Sequence, residues 1–276
     1  MGTPCAVFVI VKCKIMKNIL TNISKTAYNL SVVKLVYVQN VSERVISIRR
    51  RKVNSTRLEI IQVATNMFIE KGYSSTTFKM IADKLDISTG HIVFYFPSKD
   101  ALLAELVEMM CSFQWKMMKD EANDGISALL AVCLELMSMA AAAQENEIAK
   151  DFFVSAYQSK PCLEIIQKND IGRAKEVFAE YCPDWSDEQF RNAESFVSGI
   201  EYTTLNTTRY SARLETRIPS ALDTIMKIYN VPEEIRRQKI EKVQAMDYRS
   251  IGNRIFKEFK EYIEQTNEQA FNELLR

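Results

Sequence analysis

The sequence predicts an all-α protein in which a small three-helix head is joined by a long helix to a larger helical domain. The 276 residues include only 7 glycines and 6 prolines, too few turn residues for a many-stranded sheet, whereas Leu, Met, Ala, Glu and Lys favour helix. Apolar residues recur at steps of three and four in several segments, as on the buried face of a helix. We expect an extension over residues 1–54, the head over residues 55–101 and the larger domain over residues 102–276.

The cysteines and the histidine argue against a metal centre. The cysteines are widely separated and form no CxxC pair, so they encode neither a disulfide framework nor a zinc ribbon and are typical of reduced thiols. They are Cys5, Cys13, Cys111, Cys133, Cys162 and Cys182. The single histidine, His91, excludes an HExxH motif, and no GxxxxGK[ST] or GxGxxG sequence offers a phosphate cradle. We therefore expect no metal and no cofactor.

The first 54 residues are strongly basic, with ten Lys or Arg residues against the single acid Glu43. Their apolar run from Ala6 to Val11 stops at Lys12, well short of the roughly 20 residues that span a membrane. The order of charged and apolar residues is not that of a secretory signal either, so we expect no membrane association. Two interpretations stay open: a poorly ordered tail, or a basic arm that lies along nucleic-acid phosphates or in a minor groove.

A first helix of the head is expected from residue 56. Thr56 and Glu59 have the spacing of a capping box, and Gly72 is placed as the residue that closes the helix. The apolar stripe between them consists of Ile60, Ile61, Ala64 and Phe68. This pattern predicts one amphipathic helix with a buried face.

Two further short helices follow, with a tight turn at Asp86 between them. Thr76 or Thr77 can cap the second helix, and Ser88 can cap a third that continues to about Tyr95. Two short helices joined by a turn of three or four residues form a helix-turn-helix, whose second helix enters the major groove of duplex DNA. The segment from Ser88 to Tyr95 is therefore the predicted recognition helix.

Between roughly Thr56 and Lys99 the chain contains short fragments whose spacing is typical of a known DNA-binding domain. They are Phe68-Ile69-Glu70-Lys71-Gly72-Tyr73, Thr76-Thr77, Ile81-Ala82, Ile87-Ser88-Thr89-Gly90, Tyr95-Phe96 and Ser98-Lys99-Asp100-Ala101-Leu102-Leu103. In this order they resemble the amino-terminal DNA-binding domain of TetR-type repressors. Any one fragment is a weak signal, whereas their common spacing is specific.

The resemblance implies which residues contact double-stranded DNA. The expected set is Thr77, Lys79, Ser88, Thr89, Gly90, His91, Val93, Tyr95 and Lys99. Thr89, Gly90 and His91 would read base edges from the first turn of the recognition helix. Thr77, Lys79, Tyr95 and Lys99 would contact phosphates, Lys99 beside the positive dipole end of the fourth helix.

The head departs from the family pattern at two positions. Asp86 stands where a glycine usually makes the turn, and aspartate tolerates left-handed geometry better than most residues. Val93 stands where the family commonly carries a tyrosine that contacts DNA, so a contact is missing or changed. Phe94 and Phe96 are interpreted as core residues and not as stacking groups.

The larger domain offers features for a small-molecule pocket and for pairing with a second chain. Trp115, Met118, Met137, Met139, Phe152, Phe153 and Tyr157 are candidates for either a pocket or the core. Two apolar stripes either resemble the paired helices through which the family dimerises or form an intramolecular core. They are Phe190, Ala193, Val197, Ile200 and Thr204, and Leu222, Ile225, Met226 and Tyr229. Ser186 and Gln189 have the spacing of a capping box ahead of the first stripe.

Two further helices of the larger domain are predicted by their apolar faces. A long fourth helix from Ser98 should end at Asn123-Asp124-Gly125, with six residues inward: Leu102, Leu103, Leu106, Met110, Phe113 and Met117. Beyond Pro232 we expect one amphipathic helix with Ile251, Ile255, Phe259 and Tyr262 on one face.

The resulting hypothesis is a cytoplasmic homodimer that binds a roughly palindromic operator, represses transcription and leaves the DNA when a small-molecule effector binds. Activation instead of repression stays open. One alternative is a helical protein-interaction module with a vestigial helix-turn-helix. Another is a helical enzyme using Asp187, Glu188 or Glu201, although no motif places a nucleophile beside a base.

Overall fold

The computed structural model describes residues 55–123 and 127–275, which contain helices and no strand. The basic extension predicted over residues 1–54 lies outside the described residues, and so do Asp124 and Gly125, which were expected to end the fourth helix. The all-α prediction is confirmed for the described part of the chain.

Three short helices form the head: α1 over residues 55–71, α2 Phe78–Leu85 and α3 Thr89–Tyr95. Thr56 was predicted to cap the start of α1, but it already lies inside the helix, so that prediction is wrong. Gly72 closes α1 as predicted, with a φ of +91° that favours glycine. Thr77 caps α2 by accepting a hydrogen bond from the Met80 N–H at 3.3 Å.

Helix α4 (Lys99–Asn123) begins in the head and continues into the larger domain. Its predicted inward residues are buried, apart from Met117, which is partly buried; they are Leu102, Leu103, Leu106, Met110, Phe113 and Met117. The boundary between head and larger domain at residue 101 stays a prediction, because α4 passes through it without a break.

The larger domain continues with α5 (Ala128–Glu145), α6 (Glu147–Gln158) and α7 (Lys160–Val177). Helix α5 is long and apolar enough to cross a membrane by length and composition alone, but 72% of that window is buried inside the protein. Burial of this kind is typical of the central helix of a helical core. Four cysteines among the described residues are buried free thiols, at positions 111, 133, 162 and 182.

Helices α8 (Asp187–Leu205) and α9 (Leu214–Ile228) contain the two apolar stripes for which a dimer interface and an intramolecular core were both left open. Ser186 and Gln189 form the predicted capping box at the start of α8. The two stripes considered for pairing with a second chain are buried within this chain, for example Val197 at 5% and Leu222 at 1% exposure. They form the intramolecular core because they face the other helices of the same domain, and a dimer needs a different face.

Beyond Pro232 the chain forms two helices where one was expected: α10 (Glu233–Gln244) and α11 (Tyr248–Leu275). Helix α11 packs along α5 and reaches α4. The predicted apolar face of α11 is confirmed, with Phe259 fully buried and Ile255 at 7% exposure. Lys260 on α11 forms an ion pair of 3.0 Å with Glu70 on α1, so this helix also contacts the head.

Candidate functional site

The turn between α2 and α3 has the backbone geometry of a helix-turn-helix. Asp86 ends α2 in the left-handed conformation, with φ 52° and ψ 44°, which aspartate tolerates as expected. Ser88 then caps α3, because its Oγ accepts a hydrogen bond from the His91 N–H at 3.2 Å. The helix predicted from Ser88 to Tyr95 is confirmed.

The residues predicted to read bases are exposed on α3. Thr89, Gly90 and His91 lie on its first turn, and the His91 ring stacks on the Tyr95 ring with centroids 6.1 Å apart. Val93 is 46% exposed. These side chains are accessible to a base edge in a major groove, and the base contacts themselves stay predictions.

Phe94 contradicts the expectation that it packs in the core. It is 74% exposed, and its ring meets the Tyr95 ring edge-on at a centroid distance of 5.1 Å. Ile92 and Phe96, four residues apart, are buried at 0% and 2% exposure. Since residues two apart on a helix do not share a face, Phe94 faces outward and joins the exposed residues of the recognition helix. The spacing between Ile92 and Phe96 was the signal that could have shown this.

The residues predicted to contact phosphates differ in their surroundings. Thr77 and Lys79 are exposed at the amino-terminal end of α2, and Tyr95 is partly buried. Ser98 precedes α4, and its Oγ accepts a hydrogen bond from the Ala101 N–H at 3.0 Å. The structure therefore presents the ends of two helices at which anions are favoured.

Lys99 has partners inside the protein that the sequence did not predict. Its Nζ donates to the carbonyl oxygens of Tyr73 at 2.9 Å and Thr76 at 3.0 Å, and lies 4.1 Å from the centroid of the Tyr73 ring. Partial burial lowers the pKa of Lys99. Its ammonium group holds the loop between α1 and α2 against the first turn of α4, and its phosphate contact stays a prediction.

The comparisons with known proteins concern this same head. The sequence profile of the tetR family of bacterial regulatory proteins matches residues 60–106. The uncharacterized HTH-type transcriptional regulator YuxN of Bacillus subtilis is 46% identical over 48 residues, which are 17% of this chain and 16% of that protein. The HTH-type transcriptional repressor KstR2 of Mycobacterium tuberculosis is 39% identical over 56 residues, 20% of this chain and 28% of that protein. Residues 60–106 therefore match the DNA-binding head of the tetR family, and the matched stretch spans less than a third of the length of these curated relatives.

The similarity of this chain to solved structures is low. A gamma-butyrolactone receptor described as ArpA-like is 16% identical with a TM-score of 0.38, over 75% of this chain and 98% of that one. The TetR-family protein CprB of S. coelicolor A3(2) is 19% identical with a TM-score of 0.37, over 75% of this chain and 99% of that one. The similarity to the tetR family therefore rests on the head, and the relatives that the head matches are named as transcriptional regulators.

The larger domain contains a cavity of about 90 Å³, here called the central cavity. Helices α4 to α9 all contribute side chains to its wall. Of the residues considered for a pocket, Met139, Phe152, Phe153 and Tyr157 line the cavity. Met137 is a fully buried core residue, and the side chains of Trp115 and Met118 lie outside the described part of the structure.

One side of the central cavity carries an ion-pair cluster around Arg173 of α7. Its guanidinium donates to both carboxylate oxygens of Glu135 on α5, one of them at 3.2 Å, and to Asp170 at 3.3 Å. Burial raises the pKa of Asp170 to about 6 against the opposing effect of Arg173. The single guanidinium is therefore shared between two carboxyl groups.

Two more carboxyl groups, both on α8, line the cavity. Within the described part of the chain, each accepts a hydrogen bond from a tyrosine hydroxyl. Tyr229 donates to Glu194 Oε1, and Tyr157 donates to Glu201 Oε2 at 2.9 Å. Burial, together with the nearby Asp170 carboxylate, raises the pKa of Glu194 to about 7 and that of Glu201 well above its usual range. Of the four carboxyl groups, only Glu201 was noted from the sequence, as a candidate for an enzyme, because no local pattern shows that the four groups converge.

Proposed function

We propose that the protein is a ligand-responsive repressor that binds a palindromic operator as a cytoplasmic homodimer and leaves it when a small molecule occupies the central cavity. The observation that carries this proposal is the continuity of α4. Its first turn holds the head through Lys99, and its later turns line the central cavity through Met110, Cys111 and Gln114. A change at the cavity wall therefore has a rigid element through which it can move the head.

Contacts from the head to two other helices support this coupling. Arg57 of α1 forms an ion pair with Glu105 of α4. The Ser74 N–H, in the loop after α1, donates to Asp151 Oδ2 of α6 at 2.8 Å. Since α6 also lines the cavity through Phe152, displacement of either α4 or α6 would be transmitted to the head.

Release of DNA requires only that the ligand prefer one geometry of the dimer. Two recognition helices read half-sites that lie about 34 to 36 Å apart, so a dimer with a different separation cannot occupy both at once. A ligand that binds this second geometry more tightly lowers the fraction of protein on the operator, whereas equal affinity for both geometries changes nothing.

The outer face of α8 supports the homodimer. Phe196 is 61% exposed there and lines a surface groove with Trp185, Asn192 and Ile228. An exposed aromatic residue in a groove is typical of an interface anchor. Sedimentation equilibrium should show a dimer for the wild type and dissociation at higher concentration for Phe196→Glu, whereas an unaffected dimer would assign the interface elsewhere.

The DNA-binding part of the proposal is tested with the full chain and the DNA upstream of its own gene. Fluorescence anisotropy should show saturable binding that a scrambled duplex of equal length does not reproduce at physiological salt. Transcription from the same template then separates repression from activation. Equal affinity for the two duplexes would contradict a sequence-specific regulator.

The exposed apolar side chains of Val93 and Phe94 favour a second candidate, a protein-interaction module that keeps a vestigial helix-turn-helix. The same measurement separates the two functions. A module of this kind would bind neither duplex even at low salt, where nonspecific binding through phosphates is strongest.

A further inference from the structure

The charges around the central cavity do not balance. Its wall contains four carboxyl groups and one guanidinium, that of Arg173. Arg173 is bonded to Glu135 and Asp170, so no full positive charge is hydrogen-bonded to Glu194 or Glu201. A tyrosine hydroxyl donates one hydrogen bond to each of them but brings no charge. The α8 side of the cavity therefore has acceptor capacity that this chain does not neutralise.

Glu194 shows this most clearly. The residue is 3% exposed, and no group among the described residues donates a hydrogen bond to its Oε2. An unsatisfied buried carboxylate oxygen is costly, and a donor that carries positive charge removes that cost most effectively. Burial raises the pKa values of Glu194 and Glu201, so a proton on each group is favoured while the cavity is empty. A cation bound beside these groups would take the place of that proton.

The rest of the wall determines what kind of cation fits. No three His, Cys, Asp or Glu side chains in the described part of the chain are grouped closely enough to hold a metal ion. The wall is instead aromatic and apolar, with Phe152, Phe153 and Tyr157 among its residues, and aromatic faces attract organic cations. A cavity of about 90 Å³ is smaller than the roughly 150 Å³ that holds benzene, so it fits a molecule of only a few non-hydrogen atoms.

We propose that the effector of this regulator is a small apolar organic cation, an amine or quaternary ammonium compound with a few carbon atoms, whose charge is held by Glu194 and Glu201. The inference rests on the proposed function only in treating the central cavity as the effector site. The apolar part of the molecule lies against the aromatic wall, and Arg173 stays paired with Glu135 and Asp170.

The test compares two molecules of the same shape by isothermal titration calorimetry on the full chain. The tert-butylammonium ion carries the charge, and tert-butanol has a hydroxyl group in place of the ammonium group. The cation should bind about 30-fold more tightly, the effect expected when a buried charge pair is lost with the neutral molecule. Equal affinity for the two, or no binding of the cation at about 1 mM, overturns the proposal.

Variants locate the charge. Glu194→Gln and Glu201→Gln should each weaken the cation by about 10-fold or more while leaving the neutral molecule bound at least as well. Retained binding of the neutral molecule shows that the variant is folded. Glu176→Gln, an exposed position on α7, is the matched control and should change neither affinity. If both cavity variants bind the cation as the wild type does, the charge is held elsewhere and the proposal fails.

Anisotropy of labelled operator DNA separates this inference from the proposed function. If the cation binds selectively but leaves the operator complex intact, the inferred class of ligand is supported and the proposed release of DNA by a ligand is contradicted. Release of the operator by the neutral molecule as readily as by the cation supports the proposed function and overturns the inference.

Discussion

Helix α11 packs closely against α5 at Gly252. A Cβ atom built on it would lie 2.5 Å from the Ser138 carbonyl oxygen and 3.2 Å from the Ala142 nitrogen. Both are backbone atoms of α5, so a flexible side chain cannot move aside to make room. Gly252→Ala therefore forces the two helices apart by about 1 Å, since ordinary contacts begin near 3.4 Å.

The expected size of the effect combines two opposing terms. Overpacking a well-filled contact costs about 1 to 3 kcal/mol. Replacing glycine by alanine inside a helix contributes about 1 kcal/mol of stability through the unfolded chain and helix propensity. Gly172→Ala on α7 isolates the second term, because a Cβ there has nothing within 4 Å. We expect Gly252→Ala to lower the free energy of unfolding by about 0 to 2 kcal/mol, and Gly172→Ala to raise it by about 0.5 to 1 kcal/mol.

Urea denaturation followed by circular dichroism at one fixed protein concentration measures both variants, because any dimer makes stability depend on concentration. The difference between them reports the α11 and α5 contact. If both substitutions stabilise the protein equally, the helices do not approach as closely as described, and the position assigned to α11 is wrong.

Other predictions concern the head and the buried carboxyl groups. Lys99→Ala should weaken binding to all DNA sequences alike and lower the salt slope by about one unit; an unchanged slope with a lower melting temperature assigns Lys99 to the loop contacts alone. Substituting Thr89 or His91 should shift base preference by about 1 to 3 kcal/mol on operator variants, and unchanged preference would remove them as readers. Val93→Tyr should tighten binding generally by about 0.5 to 1.5 kcal/mol if it restores a hydrogen bond to phosphate. The pKa of Glu194 is raised to about 7 in the folded protein, so the folded state holds a proton that the unfolded state has lost above about pH 4.5, and stability should fall as pH rises from about 5 to 8. Urea denaturation at both pH values should show a smaller fall for Glu194→Gln.

The head could be predicted from sequence because its determinants are local. A cap and the residue it bonds lie three positions apart, as Ser88 and His91 do, and the left-handed turn depends on the single residue Asp86. Which side chains of α3 are exposed follows from the helical period. The prediction that Phe94 is buried was wrong because its position between Ile92 and Phe96 turns it outward, although most aromatic side chains pack in a core.

The larger domain could be predicted only as a set of helices. A stripe such as Phe190 and Val197 shows that α8 buries one face, but an intramolecular core and a second chain need the same apolar pattern. The structure decides between them because it shows those residues buried within one chain. Helix α10 was missed for a related reason, since its twelve residues are largely polar and carry one fully buried side chain, Val243.

The central cavity shows most clearly where local reasoning ends. Glu194 and Tyr229 are 35 residues apart and meet only because α8 and α9 pack together, so no spacing in the sequence pairs them. On α8 itself Glu194 is a charged residue on a buried face that is otherwise uncharged, beside Ala193. Such a residue is unfavourable for folding unless it is compensated. Positions at which a sequence departs from the rules of its own fold are expected at functional sites. The unbalanced carboxyl groups of α8 are therefore better explained by a charged ligand than by the stability of the domain that buries them.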